Sequence, residues 1–174
     1  VQFDGIDDRL LSGVADWASD DYSVFIVWRK TGLPGVQHRV FARAESDGNL
    51  FGCFALQSSN GPAPVIANMF GTAADAFGVT NVANNDPFHI VSTIRENNVS
   101  NGTSLYLNGA LDGQSPATAF DAPINLPDYE FYVGGWSGSY LNGQIAEIIV
   151  YESALMNAER QTVENYLDAK YAVS

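Results

Sequence analysis

Apolar residues in this chain recur mainly at every second position, and clusters of Gly, Asn, Asp and Pro interrupt them at intervals of roughly 8 to 15 residues. A period of two places successive side chains on opposite faces of an extended backbone, so the pattern predicts β-strands. Many short strands separated by turn residues are typical of an antiparallel sandwich or barrel. The predicted strands are Ser23–Arg29, Val40–Ala44, Leu50–Gln57, Val65–Met69, Phe88–Arg95, Ser104–Leu107, Tyr129–Gly134 and Gln144–Tyr151.

The residue types at two turns between these strands predict the conformation of the turns. Asn108-Gly109 tolerates positive φ at both central residues, which predicts a two-residue type I′ hairpin. The stretch Asn97–Gly102 is a second, looser turn, and it carries N-glycosylation sequons at Asn98 and Asn101. These sequons matter only if the host glycosylates the protein.

The C-terminal segment breaks the alternating pattern. From Asn157 to Lys170 the apolar spacing becomes helical, which predicts one short amphipathic helix. Asn157 is a favourable N-cap, and a negative charge in the first turn suits the helix dipole. The predicted buried face carries Val163, Tyr166, Leu167 and Tyr171, and the predicted exposed positions are Glu159, Arg160, Glu164, Asp168 and Lys170. No linker or repeat divides the 174 residues, so we predict a single domain over residues 1–174.

Composition restricts the possible partners of the chain. A hydrophobic share of 46% indicates a globular protein, and the net charge is −12 with a pI near 4.2. A surface of this charge repels phosphate backbones and anionic lipids, so a nucleic-acid partner is not expected. No apolar run approaches the roughly 20 residues that span a bilayer, so membrane insertion is not expected either.

Several phrases distributed along the chain occur together in one known family. They are Val1-Gln-Phe-Asp-Gly-Ile-Asp-Asp8, Ser23-Val-Phe-Ile-Val-Trp28, Phe88-His-Ile-Val91, Leu105-Tyr-Leu-Asn-Gly109, Gly134-Gly-Trp136, and the run from Leu141 to Tyr151. In this order they resemble the laminin G-like domains of the concanavalin A-like superfamily, and the resemblance covers nearly the whole chain. It implies an all-β, concanavalin A-like jelly-roll sandwich of two antiparallel sheets with a short C-terminal helix. Many members of that superfamily are lectins or carbohydrate-binding modules of secreted polysaccharide-degrading enzymes, and others are adhesion or structural domains.

Catalysis is not expected, although the same fold hosts glycoside hydrolases and lyases. Hydrolysis needs two carboxylates that face one cleft, and on a strand this requires an even spacing. The best pair here, Glu147 and Glu152, has an odd spacing, and the E-x-D-x-E phrase of the sandwich-fold glucanases is absent. A lyase needs clustered His, Tyr and basic residues, whereas the chain has two histidines, His38 and His89, and no second basic residue lies beside His89. We therefore predict that the chain is not an enzyme.

Three carboxylates near the N-terminus suggest a metal site. Asp4, Asp7 and Asp8 lie within five residues, and calcium prefers oxygen ligands. Related domains often carry a structural calcium ion. The resemblance also implies that the first and last strands lie near each other, which can bring Glu147 close to these three carboxylates. The hypothesis is a structural Ca²⁺ held by these four residues. The alternative is a solvated Asp-rich turn, since no EF-hand spacing is present.

A glycan site needs an exposed aromatic ring that stacks on a sugar, flanked by amides or carboxylates. Trp136 and Tyr140 lie in a loop rich in Gly and Ser, where small neighbours are expected to leave a large ring uncovered. Trp17 and Tyr22 form a second candidate pair. In the alternative interpretation Trp136 and Trp17 pack in the core.

The sequence thus predicts a non-catalytic, lectin-like module that binds a polysaccharide or other glycan. The same reasoning predicts that it accompanies other domains in a larger extracellular or surface-exposed protein. The alternative is a structural or adhesion domain without a glycan ligand, in a cell-surface protein or in a viral fibre or capsid at the virion surface. The fold alone does not decide between these, because it supports both kinds of function.

Overall fold

The computed structural model describes residues 1–14, 18–31, 38–44, 55–58, 65–69, 75–82, 87–119, 121 and 130–173. These residues form fourteen strands and one helix. In chain order the elements are β1 (Gln2–Asp4), β2 (Leu10–Val14), β3 (Tyr22–Lys30), β4 (His38–Ala44), β5 (Ala55–Ser58), β6 (Ile66–Met69), β7 (Ala76–Phe77), β8 (His89–Arg95), β9 (Thr103–Leu107), β10 (Ala110–Gln114), β11 (Glu130–Val133), β12 (Gly135–Trp136), β13 (Ser139–Tyr140), β14 (Asn142–Tyr151) and α1 (Asn157–Tyr171). Within these ranges no helix is long and apolar enough to cross a membrane.

The strands form two six-stranded antiparallel sheets. The first, which we name the helix-side sheet, has the strand order β1-β14-β3-β8-β9-β10, and the opposite sheet has the order β2-β11-β4-β5-β6-β7. The short hairpin β12–β13 forms a small third sheet beside β4. Side chains from both large sheets share one apolar core. The architecture is therefore the predicted two-sheet jelly-roll sandwich with one C-terminal helix.

Strand β3 lies in the middle of the helix-side sheet and is buried on both faces. Val24, Ile26 and Trp28 belong to the core between the two sheets. Phe25 and Val27 belong to a second apolar cluster that includes side chains of α1. Because each face meets its own apolar layer, the strand is a continuous apolar run rather than an alternating one. The core position predicted for Trp28 is confirmed, since this side chain is 1% exposed.

The helix begins where the sequence predicts, with a different cap. Met156, not Asn157, is the N-cap residue. Its backbone N–H donates a 2.9 Å hydrogen bond to Oε2 of Glu159, which satisfies one of the free amide groups at the start of the helix. Ala172 ends the helix in a left-handed conformation, and its N–H donates to the carbonyl of Asp168.

The buried face of α1 differs from the predicted one. Leu167 is fully buried as expected, but Arg160 and Glu164 are buried beside it, and Tyr166 is 49% exposed. Spacings of four and three residues put Arg160, Glu164 and Leu167 on one side of the helix. The prediction placed both charged residues outside because the apolar spacing assigned only apolar residues to the buried face. Burial of the two charges is possible here because they neutralise each other as an ion pair.

Both predicted turns are confirmed by backbone conformation. Asn108 and Gly109 have φ of 49° and 80°, which fits the type I′ hairpin between β9 and β10. Asn98 and Asn101, with φ of 56° and 55°, shape the looser turn between β8 and β9. Asparagine tolerates this left-handed region better than most residues.

Candidate functional site

Trp136 is buried in the β12–β13 hairpin, with 2% of its surface exposed. The hairpin lies beside β4, and the guanidinium carbon of Arg39 is 5.3 Å from the centre of the Trp136 ring. A ring covered in this way has no open face for a sugar. The expectation that the small residues of this loop leave Trp136 uncovered is therefore wrong.

The second aromatic pair does not supply an open face either. Tyr22 is fully buried, and its hydroxyl accepts a 2.7 Å hydrogen bond from Nδ2 of Asn68 across the core. The expected surface role of Tyr22 is wrong, because β3 carries this ring into the sandwich. Trp17 lies outside the described residues.

Among the predicted aromatics that the structure describes, Tyr140 is half-buried and keeps partial access to solvent. Its ring packs on Gly135, where an added Cβ would lie only 2.3 Å from Cδ1 of Tyr140. The same position would lie 3.2 Å from the carbonyl oxygen of Asp8. The fold therefore places Tyr140 close to the N-terminal acidic loop, which the sequence treated as a separate site.

The acidic loop brings three carboxylates together. Asp4, Asp7 and Asp8 are exposed, and one oxygen of each lies within 4.8 Å of the others. Oδ1 of Asp4 accepts from the N–H of Ile6 at 2.8 Å, and Oδ2 of Asp8 accepts from the N–H of Asp4 at 3.0 Å. Gly5 provides the positive φ of 81° that the turn requires. Three carboxylates at this separation are the hard oxygen donors that Ca²⁺ prefers, so the residues fit that ion.

Glu147 is not part of this loop, and its predicted role as a metal ligand is wrong. Asp4 pairs with Asn142 on β14, whereas Glu147 lies five residues further along, about 16 Å away at the usual rise of a strand. Its carboxylate instead accepts a 3.1 Å hydrogen bond from Nζ of Lys170. Hydrogen bonds with the Tyr166 hydroxyl and with Glu147 raise the pKa of Lys170.

A surface groove that the sequence did not reveal lies beside the N-terminus of α1. It has a volume of about 580 Å³. Ser104, Tyr106 and Gln114 form its floor, and its walls are residues 99–102 of the β8–β9 turn and the segment Ser153–Asn157. We name it the Tyr106 groove.

The alternation of β9 explains why Tyr106 points to this surface. Leu105 and Leu107 are buried in the core between the sheets, so Ser104 and Tyr106 lie on the other face. Gln114 is paired with Ser104 in the neighbouring strand, and its Nε2 donates to the Ser104 hydroxyl at 3.0 Å. The floor therefore combines an aromatic ring with a preorganised amide and hydroxyl.

A buried ion pair supports the tyrosine ring from α1. The guanidinium carbon of Arg160 lies 3.8 Å from the centre of the Tyr106 ring. Arg160 is paired with Glu164, and the other oxygen of Glu164 accepts a 2.7 Å hydrogen bond from the Ser92 hydroxyl. Cation–π stacking and a fixed counter-charge hold the ring in one orientation.

The β8–β9 turn forms one wall of the groove and is itself held by backbone bonds. The N–H of Glu96 donates to the carbonyl of Gly102 at 2.7 Å, and the N–H of Gly102 donates to that of Val99 at 3.0 Å. A Cβ at position 102 would lie 2.2 Å from the Glu96 oxygen, so the turn requires glycine. Arg95 supports the turn from below through bonds to Thr103 and Asn97.

The fold and these surfaces define a jelly-roll domain with an aromatic groove on its helix side. The family model described as "Concanavalin A-like lectin/glucanases superfamily" matches residues 4–159. The chain belongs to this family, as the resemblance of its sequence phrases implied. A search of curated protein sequences finds no match.

Solved structures of the same architecture come from different kinds of protein. The native heptameric SAP-like pentraxin from Limulus polyphemus has a TM-score of 0.71 at 14% identity, covering 94% of this chain and 80% of its own. The Trypanosoma rangeli sialidase, in complex with sialic acid, has a TM-score of 0.68 at 15% identity, covering 95% of this chain and 27% of its own. The CBM40 of the Ruminococcus gnavus IT-sialidase, bound to α2,3-sialyllactose, has a TM-score of 0.63 at 15% identity, covering 89% of this chain and 98% of its own. Identities this low show a shared fold.

Proposed function

We propose that this domain is a non-catalytic carbohydrate-binding module of a larger extracellular protein, and that the Tyr106 groove is its glycan site. The R. gnavus module of the same fold was solved with an oligosaccharide, which supports glycan binding. The chain matches only 27% of the T. rangeli sialidase, which supports a role as one domain among several. Fold likeness alone does not assign a site, so the proposal rests on the groove.

The chemistry of the groove floor is the observation that carries this proposal. A sugar ring presents C–H groups on its face and hydroxyl groups around its edge. Tyr106 offers a half-buried ring to the face, and Ser104 and Gln114 offer hydroxyl and amide groups to the edge. Met156, 77% exposed, and Val99, 40% exposed, add apolar surface at the rim. An aromatic anchor with a few convergent polar groups is the usual composition of a small-molecule site.

We expect Tyr106→Ala to weaken glycan binding roughly 5- to 150-fold, or about 1 to 3 kcal/mol, the range for removing a central aromatic anchor. A glycan array on the wild-type domain identifies the ligand, and titration calorimetry on folded variants gives the Kd. Tyr106→Phe keeps the ring against Arg160 and should retain most of the affinity.

Two further tyrosine variants test the position of the site. Tyr166 lies on the exposed side of α1, so Tyr166→Ala is a matched control that should bind normally. If Tyr140→Ala loses binding while Tyr106→Ala retains it, the site lies beside the acidic loop. Wild-type protein that binds no glycan on the array would favour the adhesion or structural alternative.

The proposal that the domain is non-catalytic is supported by the partners of its carboxylates. Glu147 is paired with Lys170, and Oε2 of Glu152 accepts from the N–H of Ala18 at 3.3 Å. These two carboxylates therefore have separate partners rather than a common cleft, as a pair for glycoside hydrolysis would need. Glycans recovered from the binding experiments should be uncleaved.

We also propose that Asp4, Asp7 and Asp8 hold a structural calcium ion. Binding to the folded state alone would add about 2.7 kcal/mol of stability at a calcium concentration 100 times Kd. We therefore expect EDTA to lower the melting temperature of calcium-loaded protein. Asp7 takes no part in the two hydrogen bonds that shape the loop, so Asp7→Asn should abolish the EDTA effect with the fold intact. Equal melting temperatures with calcium and with EDTA contradict the proposal.

A further inference from the structure

The Tyr106 groove carries negative charge at its edge. Asp21 and Glu96 both line it, and Glu96 is exposed while Asp21 is partly exposed. Oδ1 of Asp21 accepts a 2.7 Å hydrogen bond from the N–H of Asn97, which fixes this carboxylate beside the turn. Among the described residues that line the groove, none is Lys, Arg or His. A ligand in the groove therefore meets negative charge at this edge.

The nearest basic residues offset this charge only in part. Arg160 is 4% exposed, lies against the Tyr106 ring and is paired with Glu164. Arg95 is 1% exposed and donates to Thr103 Oγ1 at 3.2 Å, and its charge is attracted to Asp20, Asp21 and Asp121 but not to Glu96. Both side chains are buried, so neither guanidinium group is presented to a ligand carboxylate. The net charge of −12 adds a field of the same sign around the whole domain.

We infer that the Tyr106 groove selects glycans with free amino groups over their N-acetylated forms, and rejects glycans that carry carboxylates. This inference rests on the proposed function of the groove. A protonated amino group on a stacked sugar gains attraction from Asp21 and Glu96, whereas a carboxylate is repelled by both. Sialyllactose, the acidic ligand of the R. gnavus module, is therefore the wrong kind of ligand for this groove. Domains of this fold can bind ligands of different charge, because the residues of each site, and not the fold, determine which charge is bound.

The test compares chitosan, chitin and hyaluronan oligosaccharides of equal length, titrated into the intact domain at about pH 6, where protein carboxyl groups are generally ionised. We expect chitosan to bind about fivefold more tightly than chitin, because carboxylates at the groove edge attract its amino groups, and we expect hyaluronan to bind weakest. Added salt should reduce the difference, because it screens exposed charges.

Two matched variants separate the groove from the general charge of the protein. Glu96→Gln and Glu147→Gln each remove one negative charge by the same substitution, but only Glu96 lies in the groove, while Glu147 is paired with Lys170. The ratio of chitin Kd to chitosan Kd should fall in Glu96→Gln and stay at the wild-type value in Glu147→Gln. Tyr106→Ala should weaken chitosan binding roughly 5- to 150-fold, whereas attraction to a polycation without the groove would survive this change.

Three results overturn the inference. They are hyaluronan binding as tight as chitosan binding, a ratio that Glu96→Gln leaves unchanged, and no binding of chitosan. In each case the glycan array still decides the proposed function separately. An array ligand that carries carboxylates and requires Tyr106 would keep the glycan site and refute its selectivity.

Discussion

Trp136→Ala is expected to lower the free energy of unfolding by about 3 to 5 kcal/mol, the usual cost of truncating a large core aromatic. The indole is 2% exposed, so its removal leaves a cavity that the short β12–β13 hairpin can fill only in part. The Arg39 guanidinium, 5.3 Å from the ring centre, also loses a stacking partner. Urea denaturation of wild type and variant measures the change.

Tyr140→Ala is the matched control for this experiment because it changes the other aromatic of the same hairpin. Tyr140 is only half-buried, so its loss should cost clearly less. A cost below about 1 kcal/mol for Trp136→Ala would contradict the packed position of the indole. It would also revive the hypothesis that this ring faces a sugar.

Glu164→Leu is expected to be comparably severe, at about 3 to 5 kcal/mol, because it leaves the Arg160 charge buried without a partner. Arg160 and Glu164 are 4% and 5% exposed, so water replaces little of the lost interaction. The Ser92 hydroxyl loses its acceptor as well. Urea denaturation again gives the change in stability, and the Tyr106 groove should bind glycan less well because its ring loses a fixed support.

The double variant Arg160→Met/Glu164→Leu separates the lost partner from the lost packing. Replacing a buried ion pair with apolar side chains of similar volume is often neutral or stabilising. The double variant should therefore recover most of the stability lost in Glu164→Leu. If the double variant is no more stable than the single one, the cost arises from packing of the glutamate chain and not from an isolated buried charge.

The central strands could be predicted from the sequence because their patterns are long. Strand β3 is one residue longer at each end than the predicted Ser23–Arg29. Strand β8 begins one residue later than the predicted Phe88–Arg95 and ends at the same residue. Short edge elements gave no such signal. Strand β7 has two residues, and Leu10 and Leu11 of β2 are both about half exposed, so no alternation marks that edge. Residues 50–54 of another predicted strand lie outside the described residues.

The site was harder to predict than the fold because its parts come from distant segments. The sequence predicted that Asp4, Asp7 and Asp8 lie together, and their carboxylates do so because they are local in the chain; the calcium ion stays a prediction. Sequence reasoning misplaced Trp136, because a loop of small residues gives no sign of the β4 surface that covers it. Tyr106 could have been flagged by the alternation of Ser104–Leu107. Arg160 and Glu164, which support the ring from α1, could not have been identified in this way, because charged helix residues are normally predicted to face solvent.

The position of α1 bears on where this domain ends. The similarity to the family model stops at residue 159, inside the first turn of the helix, whereas α1 continues to Tyr171. Leu167 and Val173 close the apolar cluster over Phe25 and Ile90, and the ion pair behind the groove uses residues 160 and 164. A fragment cut at the limit of similarity would expose one face of the central sheet to water. The unit that folds is thus longer than the unit that sequence comparison delimits.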